Sequence, residues 1–132
     1  MLTRGGGTFG FSANPPIMRA ERLLNGDGGV LLERCWMADR PWSRMRGLLG
    51  RSGLEQKEGL LLKPCGSVHT LFMRFPIDVV FLDRDLSVVA VRPELVPWRT
   101  ARARGAKVTL ELAAGEAARL GIAPGVRLRL AA

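Results

Sequence analysis

The sequence predicts an α+β, β-rich fold: a small, mostly antiparallel curled sheet or partly open barrel with two short helices. Three observations carry that expectation. Short runs rich in apolar and β-branched residues recur between clusters of Gly, Pro, Asn and Asp, from VLLERCWM at Val30 to PGVRLRL at Pro124. Only two stretches, near Pro41 and Glu116, carry helix signals, and both are short. The strands also lack the regular helical crossovers that a parallel sheet requires. At 132 residues the chain is long enough for one core and too short for two comfortable ones.

Residues 1–20 read as a flexible Gly/Pro-rich segment and residues 21–132 as a single β-rich domain. The opening MLTRGGGTFGFSANPP holds three consecutive glycines and a Pro15-Pro16 pair, which sustain neither helix nor central strand. It has no continuous apolar run followed by a small-residue cleavage pattern, so it does not read as a secretory signal, and a cytoplasmic location is the expectation. Met18 is an alternative start.

Val30 to Met37 is the first expected strand, entered from the turn residues NGDGG. Asp39 then caps a short helix from Pro41, with Trp42, Met45 and Leu49 at helical spacing. GLLLKP, from Gly59 to Pro64, is the second strand, ended by its proline. IDVVFL, from Ile77 to Leu82, is expected to be central. Asp83, Arg84 and Asp85 turn the chain so that LSVVAV, from Leu86 to Val91, returns as an antiparallel hairpin. Arg92 to Gly105, with two prolines, a tryptophan and four arginines, loses periodicity and reads as an ordered loop. KVTLEL is a strand and AAGEAARLG a two-turn helix stopped at Gly121. In the final strand Val126, Leu128 and Leu130 face one way while Arg127 and Arg129 face the other.

The net charge is +8, and 17 of the 20 basic residues are arginines spread from Arg4 to Arg129. Dispersed charge supports weak polyanion attraction, but no helix-turn-helix, zinc-finger or ribonucleoprotein motif accompanies it. The local concentration is Arg92, Arg99, Arg102, Arg104 and Lys107 with Trp98, which suits phosphate, a nucleic-acid strand or an acidic protein surface. No apolar run approaches the length of a membrane span. Cys35 and Cys65 are too few for a disulfide scaffold or a four-cysteine zinc site.

The densest chemistry lies in CGSVHTLFMRFPID, Cys65 to Asp78, which contains the only histidine of the chain. Cys65 and His69 are four residues apart, a spacing that permits a thiolate-imidazolium pair, with Asp78 or Asp39 as a third group if the fold brings one to the ring. Cys65, His69, Met73 and Cys35 include soft ligand atoms, but with no second histidine a metal is not expected, nor a cofactor. The competing reading is structural: His69 and Thr70 bond backbone where the strand breaks, while Met73 and Phe75 fill the core. Asp78 shares a strand face with Val80 and Leu82, so an inward face obliges its carboxylate to find backbone N–H groups, His69 or Arg74.

SRMRGLLGR (Ser43 to Arg51), EGLLLKPCGSVHTLFMRFPIDVVFLD (Glu58 to Asp83), VPWR (Val96 to Arg99) and LELAAGEAARLGIAPGVRL (Leu110 to Leu128) together resemble the domain of unknown function 192 family. The resemblance covers most of residues 30–130 and is most specific in HTxxMRFPIDVVFLD. It implies a small β-rich domain found in bacteria and archaea, in some relatives behind an export or membrane segment, and it brings no established activity. Its signature positions fall on Met73, Pro76, Asp78 and Phe81, with His69 and Thr70 from the branch this chain is similar to. The chain departs at Leu86, where the hairpin's glycine is expected, and at Val126-Arg127, where similar sequences often read glycine-aspartate just before.

The expected function is therefore a non-enzymatic binding or accessory module. Its surface takes in His69, Thr70, Met73, Arg74, Pro76, Asp78, Trp98 and Arg99 and accepts a protein, peptide or small ligand. The alternatives are a thiol enzyme or redox protein using Cys65, His69 and Asp78, and a polyanion binder using Arg92 to Lys107.

Overall fold

The computed structural model describes residues 19–38, 57–69, 75–97 and 99–131. Along the chain these form β1 (Arg19–Asn25), β2 (Val30–Ala38), β3 (Glu58–Leu62), β4 (Ser67–His69), β5 (Ile77–Leu82), β6 (Val88–Leu95), β7 (Thr100–Arg102), β8 (Val108–Ala113), α1 (Glu116–Arg119) and β9 (Leu128–Leu130). Seven strands make one sheet in the order β9-β1-β2-β3-β8-β5-β6, and β4 pairs with β7 as a separate two-stranded ribbon.

The sheet is mixed rather than purely antiparallel: five of its six strand pairings are antiparallel, in keeping with the expected mostly antiparallel sheet, and one is parallel. β2 and β3 run parallel, with Cys35 opposite Gly59 and Met37 opposite Leu61. The physical reason is the long 39–57 connection, which gives the chain length enough to cross over and re-enter in the same direction. Among the described residues there is one short helix rather than two; the helix expected from Pro41 lies outside them. α1 is also shorter than the two turns expected. It begins after Gly115 at φ 90° and is followed closely by Gly121 at φ 71°.

β3 and β5 are buried at every position and β8 at all but its last, which explains their near-continuous apolar composition. Alternation divides their side chains between two apolar layers. One holds Leu32, Leu61, Val80, Leu82, Leu110 and Leu112 with Ala117 and Ile122 from around the helix. The other holds Leu60, Leu62, Ile77, Val79 and Phe81, against which Cys65, Ala101 and Ala103 pack. The β4–β7 ribbon thus lies over the second layer and α1 over the first.

The sheet curls into an open half-barrel whose two edges touch at one end. Ser87, before edge strand β6, bridges Arg127, before edge strand β9. The Val88 N–H donates to the Val126 carbonyl at 2.8 Å, and the Leu128 N–H donates to that of Leu86 at 2.9 Å. The preceding turn is built on Asp83, whose Oδ1 accepts from the N–H groups of Asp85 and Ser87 at 2.9 and 3.0 Å. Leu86 sits at φ 65°, so the chain keeps a glycine-like conformation there with a leucine.

Three differences from sequence expectation have local causes. β1 was not foreseen because only Leu23 of RAERLLN is fully buried, and its charges mask the alternation. β6 runs to Leu95 rather than ending at Val91, and Pro93 is tolerated because β6 is an edge strand. Within the basic loop, Thr100 to Arg102 find a strand partner in Ser67 to His69.

Candidate functional site

The chain leaves β3 at Leu62 and reaches β4 through Cys65 and Gly66. The Cys65 N–H donates to the Lys107 carbonyl at 2.8 Å, and the Thr109 hydroxyl donates to the Cys65 carbonyl at 3.0 Å. Gly66 passes so near Ala106 that a Cβ there would lie 2.7 Å from the Ala106 carbonyl oxygen. These contacts fasten the start of the stretch to the lead-in of β8. Ser67, Val68 and His69 then pair with Arg102, Ala101 and Thr100. The histidine segment and the basic loop, separate in sequence, become the two strands of one ribbon.

The half-buried Cys65 thiol donates to the Ser67 carbonyl at 2.9 Å. His69 is placed by its backbone, opposite Thr100. Pro76 is exposed and immediately precedes β5. Thr70, Met73, Arg74 and Trp98 lie outside the described residues, as does Asp39. Around the ribbon Arg92, Arg99, Arg102, Arg104 and Lys107 are all exposed.

Asp78 is 1% exposed. Its Oδ1 accepts from the N–H groups of Glu94 at 2.8 Å and Gly115 at 3.1 Å, and its Oδ2 accepts from the N–H of Ala117 at 2.8 Å. One carboxylate therefore ties together the end of β6, the β8-α1 connection and the first turn of α1. Its face is that of Val80 and Leu82, whereas Cys65 packs against the layer of Val79 and Phe81. Cys65 and Asp78 thus belong to opposite sides of the sheet, and the fold does not join them as members of one triad.

Sequence reasoning missed two buried acids on the ribbon side. Glu58 accepts a 3.0 Å hydrogen bond from the Trp36 indole N–H, and Glu111 is 4% exposed on β8 beside Thr109. In EGLLL and TLEL a polar residue at an alternating position reads as a solvent face. Here both faces of the sheet are covered, so the same pattern places carboxylates inside. A third acid, Glu116, accepts from both the Nε and Nη2 of Arg119, at 2.6 and 2.7 Å, and from the Lys57 N–H at 3.3 Å. Those bonds, led by the guanidinium, hold its carboxyl below the ordinary carboxylate value.

Cys35 has the opposite chemistry. Wholly buried in the first layer, its thiol is pushed up to about 12 by desolvation, with a smaller contribution from the Glu21 carboxylate. A thiol so protonated is a core side chain, not a nucleophile. Among the described residues no three of His, Cys, Asp and Glu converge in a way that would hold a metal ion.

The family model of DUF192, Uncharacterized ACR, matches residues 24–130. The chain belongs to this family. Among curated proteins none matches. Two solved structures share the DUF192 chain's architecture. A protein from Sinorhizobium meliloti described as a "putative transcription regulator" is 26% identical, with a TM-score of 0.72, covering 86% of this chain and 93% of that one. A protein of unknown function from Novosphingobium aromaticivorans is 25% identical, with a TM-score of 0.71, covering 94% and 99% respectively. The signature positions Asp78 and Phe81 of this DUF192 chain are both fully buried in β5. No described helix is long and apolar enough to cross a membrane.

Proposed function

We propose that this DUF192 domain is a non-enzymatic binding module whose partner is an extended, acidic peptide segment laid along the β4–β7 ribbon. The observation that carries the reading is the pairing of Ser67–His69 with Thr100–Arg102, which unites the HTxxMRFPID segment with the basic loop. His69 is the last residue of one strand of that ribbon, with Thr70, Met73 and Arg74 after it in sequence, and Trp98 and Arg99 precede the other strand in sequence. Pro76 limits the surface. Asp78 lies on the opposite face of β5, where its oxygens are engaged by backbone N–H groups, so it braces β6 and α1 and takes no direct part in the ribbon surface. Extended peptides commonly bind by lying against strands, with side-chain groups reading their charge.

The test is fluorescence anisotropy with a labelled Glu/Asp-rich peptide and a neutral peptide of the same length. Saturable binding of the acidic peptide, weakened at least about tenfold by Arg99→Gln with Arg102→Gln, is the expected result. Equal affinity for both peptides, or indifference to the substitutions, overturns it.

A second reading, nucleic-acid binding by the same cations, is favoured by the exposure of Arg92, Arg102, Arg104 and Lys107 around the ribbon. The description of the Sinorhizobium meliloti protein as a "putative transcription regulator" points the same way. A labelled single-stranded oligonucleotide distinguishes it: affinity must then fall steeply and log-linearly with salt as counterions are released.

A further inference from the structure

Across the sheet from the ribbon, at one end of the half-barrel, lies a cavity of about 300 Å³ lined by Arg19, Met37, Leu61, Lys63, Arg84, Leu86 and Leu130. Strand register explains how it is assembled. Arg19 of β1 stands opposite Met37 of β2, and Met37 stands opposite Leu61 of β3. Lys63 follows Leu61 by two residues. Arg84 and Leu86 come from the β5–β6 turn on the far wall, and Leu130 closes the side from β9.

The lining separates into two chemistries. Met37, Leu61, Leu86 and Leu130 form an apolar floor, all packed in the first core layer. Arg19, Lys63 and Arg84 supply cations, and no acidic residue lines the cavity among the described residues. Arg19 is already engaged by Glu21 at 3.1 Å. Lys63 and Arg84 are exposed and have no ion-pair partner among the described residues. Leu86 reaches the wall from its left-handed backbone conformation at φ 65°, so the turn presents an apolar side chain to the cavity.

We propose that this cavity binds a small amphiphilic anion, a medium-chain monocarboxylate, with its tail on the Met37-Leu61-Leu86-Leu130 floor and its carboxylate at Lys63 and Arg84. The size agrees: at about 30 Å³ of liquid volume per water-sized group, the space accommodates about ten heavy atoms, as in octanoate. The polarity agrees as well, since small-ligand pockets combine apolar walls with a few polar groups that fix orientation. A nucleotide fits poorly, because among the described residues no aromatic side chain lines the cavity to stack a base. The site is distinct from the ribbon, which lies over the other layer, so the two proposals stand or fall separately.

Isothermal titration of the full chain at neutral pH, using octanoate, octan-1-ol, acetate and inorganic phosphate as probes, tests the assignment. Octanoate is expected to bind saturably, octan-1-ol at least about tenfold more weakly, and acetate and phosphate not measurably. Lys63→Gln with Arg84→Gln, two exposed positions whose exchange leaves the core intact, should weaken octanoate at least about tenfold and leave octan-1-ol unchanged. Arg102→Gln, on the ribbon, should leave octanoate unchanged. Absence of saturable octanoate binding, equal binding of octan-1-ol, or indifference to the double substitution overturns the proposal. Phosphate binding as tightly as octanoate also overturns it, by reducing the rim to a site for a bare anion.

Discussion

Asp78 accepts N–H bonds from Glu94 at φ 50° and Gly115 at φ 90°, so a single carboxylate secures two places where the backbone takes the left-handed conformation. Asp78→Ala leaves three donors without their acceptor in a buried setting, and a loss of at least about 3 kcal/mol is expected from urea denaturation. Asp78→Asn retains one oxygen but turns an NH2 group toward a donor, so its loss should be smaller, about 2 kcal/mol. Two glycines separate conformation from contact. A Cβ at Gly115 meets nothing within 4 Å, so Gly115→Ala tests backbone strain alone and should cost about 1–2 kcal/mol. At Gly66 the obstacle is the Ala106 carbonyl oxygen 2.7 Å from the added carbon; Gly66→Ala must shift the backbone of the ribbon and should cost about 1–3 kcal/mol. Denaturation midpoints for the three positions check these values, and an Asp78→Ala protein as stable as the parent would remove Asp78's role as the anchor.

At the scale of elements, α1 depends on a charge as much as on helix propensity, for it comprises only Glu116–Arg119. Glu116 joins it to the entry of β3 through the Lys57 N–H and to its own last turn through Arg119. Because the folded carboxyl is held below its ordinary value of 4.5, the stabilisation is present above that pH and is lost as pH falls through the folded value. Thermal melts taken from pH 6 downward should therefore show an acid limb beginning near 4.5, and Arg119→Gln should flatten it; a limb unaltered by that exchange would place the acid sensitivity elsewhere. The same elements show what was legible in the sequence. IDVVFL appeared as a strand with its bounds intact, and the alternation of Val126, Leu128 and Leu130 against Arg127 and Arg129 matches the burial of β9 and its lead-in. Such signals are local. The parallel β2–β3 pairing, the β4–β7 ribbon and the enclosed Glu58 and Glu111 are not, since each depends on which distant segment arrives opposite. For the site, sequence identified Asp78's need for partners, and backbone N–H groups were among those named; which turns supply them emerges only when β6 and α1 meet at β5.

The molecule as a whole is a curled sheet with an apolar layer on each side and edges that meet through Ser87 and Arg127. Cys35 is 0% exposed in the first layer, on a strand paired to both neighbours, β1 and β3, which makes it an internal reporter of that architecture. Local fraying at an edge does not open a site paired on both sides, so its reaction requires disruption of the layer itself. In a Cys65→Ser protein, labelling of Cys35 by an aromatic disulfide reagent should follow the rate of global opening and accelerate with urea along the full unfolding slope. The thiol should also give the molecule an alkaline limit. Its folded value of about 12 exceeds the ordinary 9.0, so the neutral form stabilises the fold below pH 9 and that contribution is lost as pH rises toward 12. One pH unit above 9 this amounts to about 1.4 kcal/mol. Cys35→Ala should be less stable at neutral pH through its missing sulfur, yet lose less between pH 8 and pH 10 than the parent. Rapid native-state labelling without urea dependence would show instead that β2 opens independently, and the two-layer sheet would then not behave as one cooperative unit.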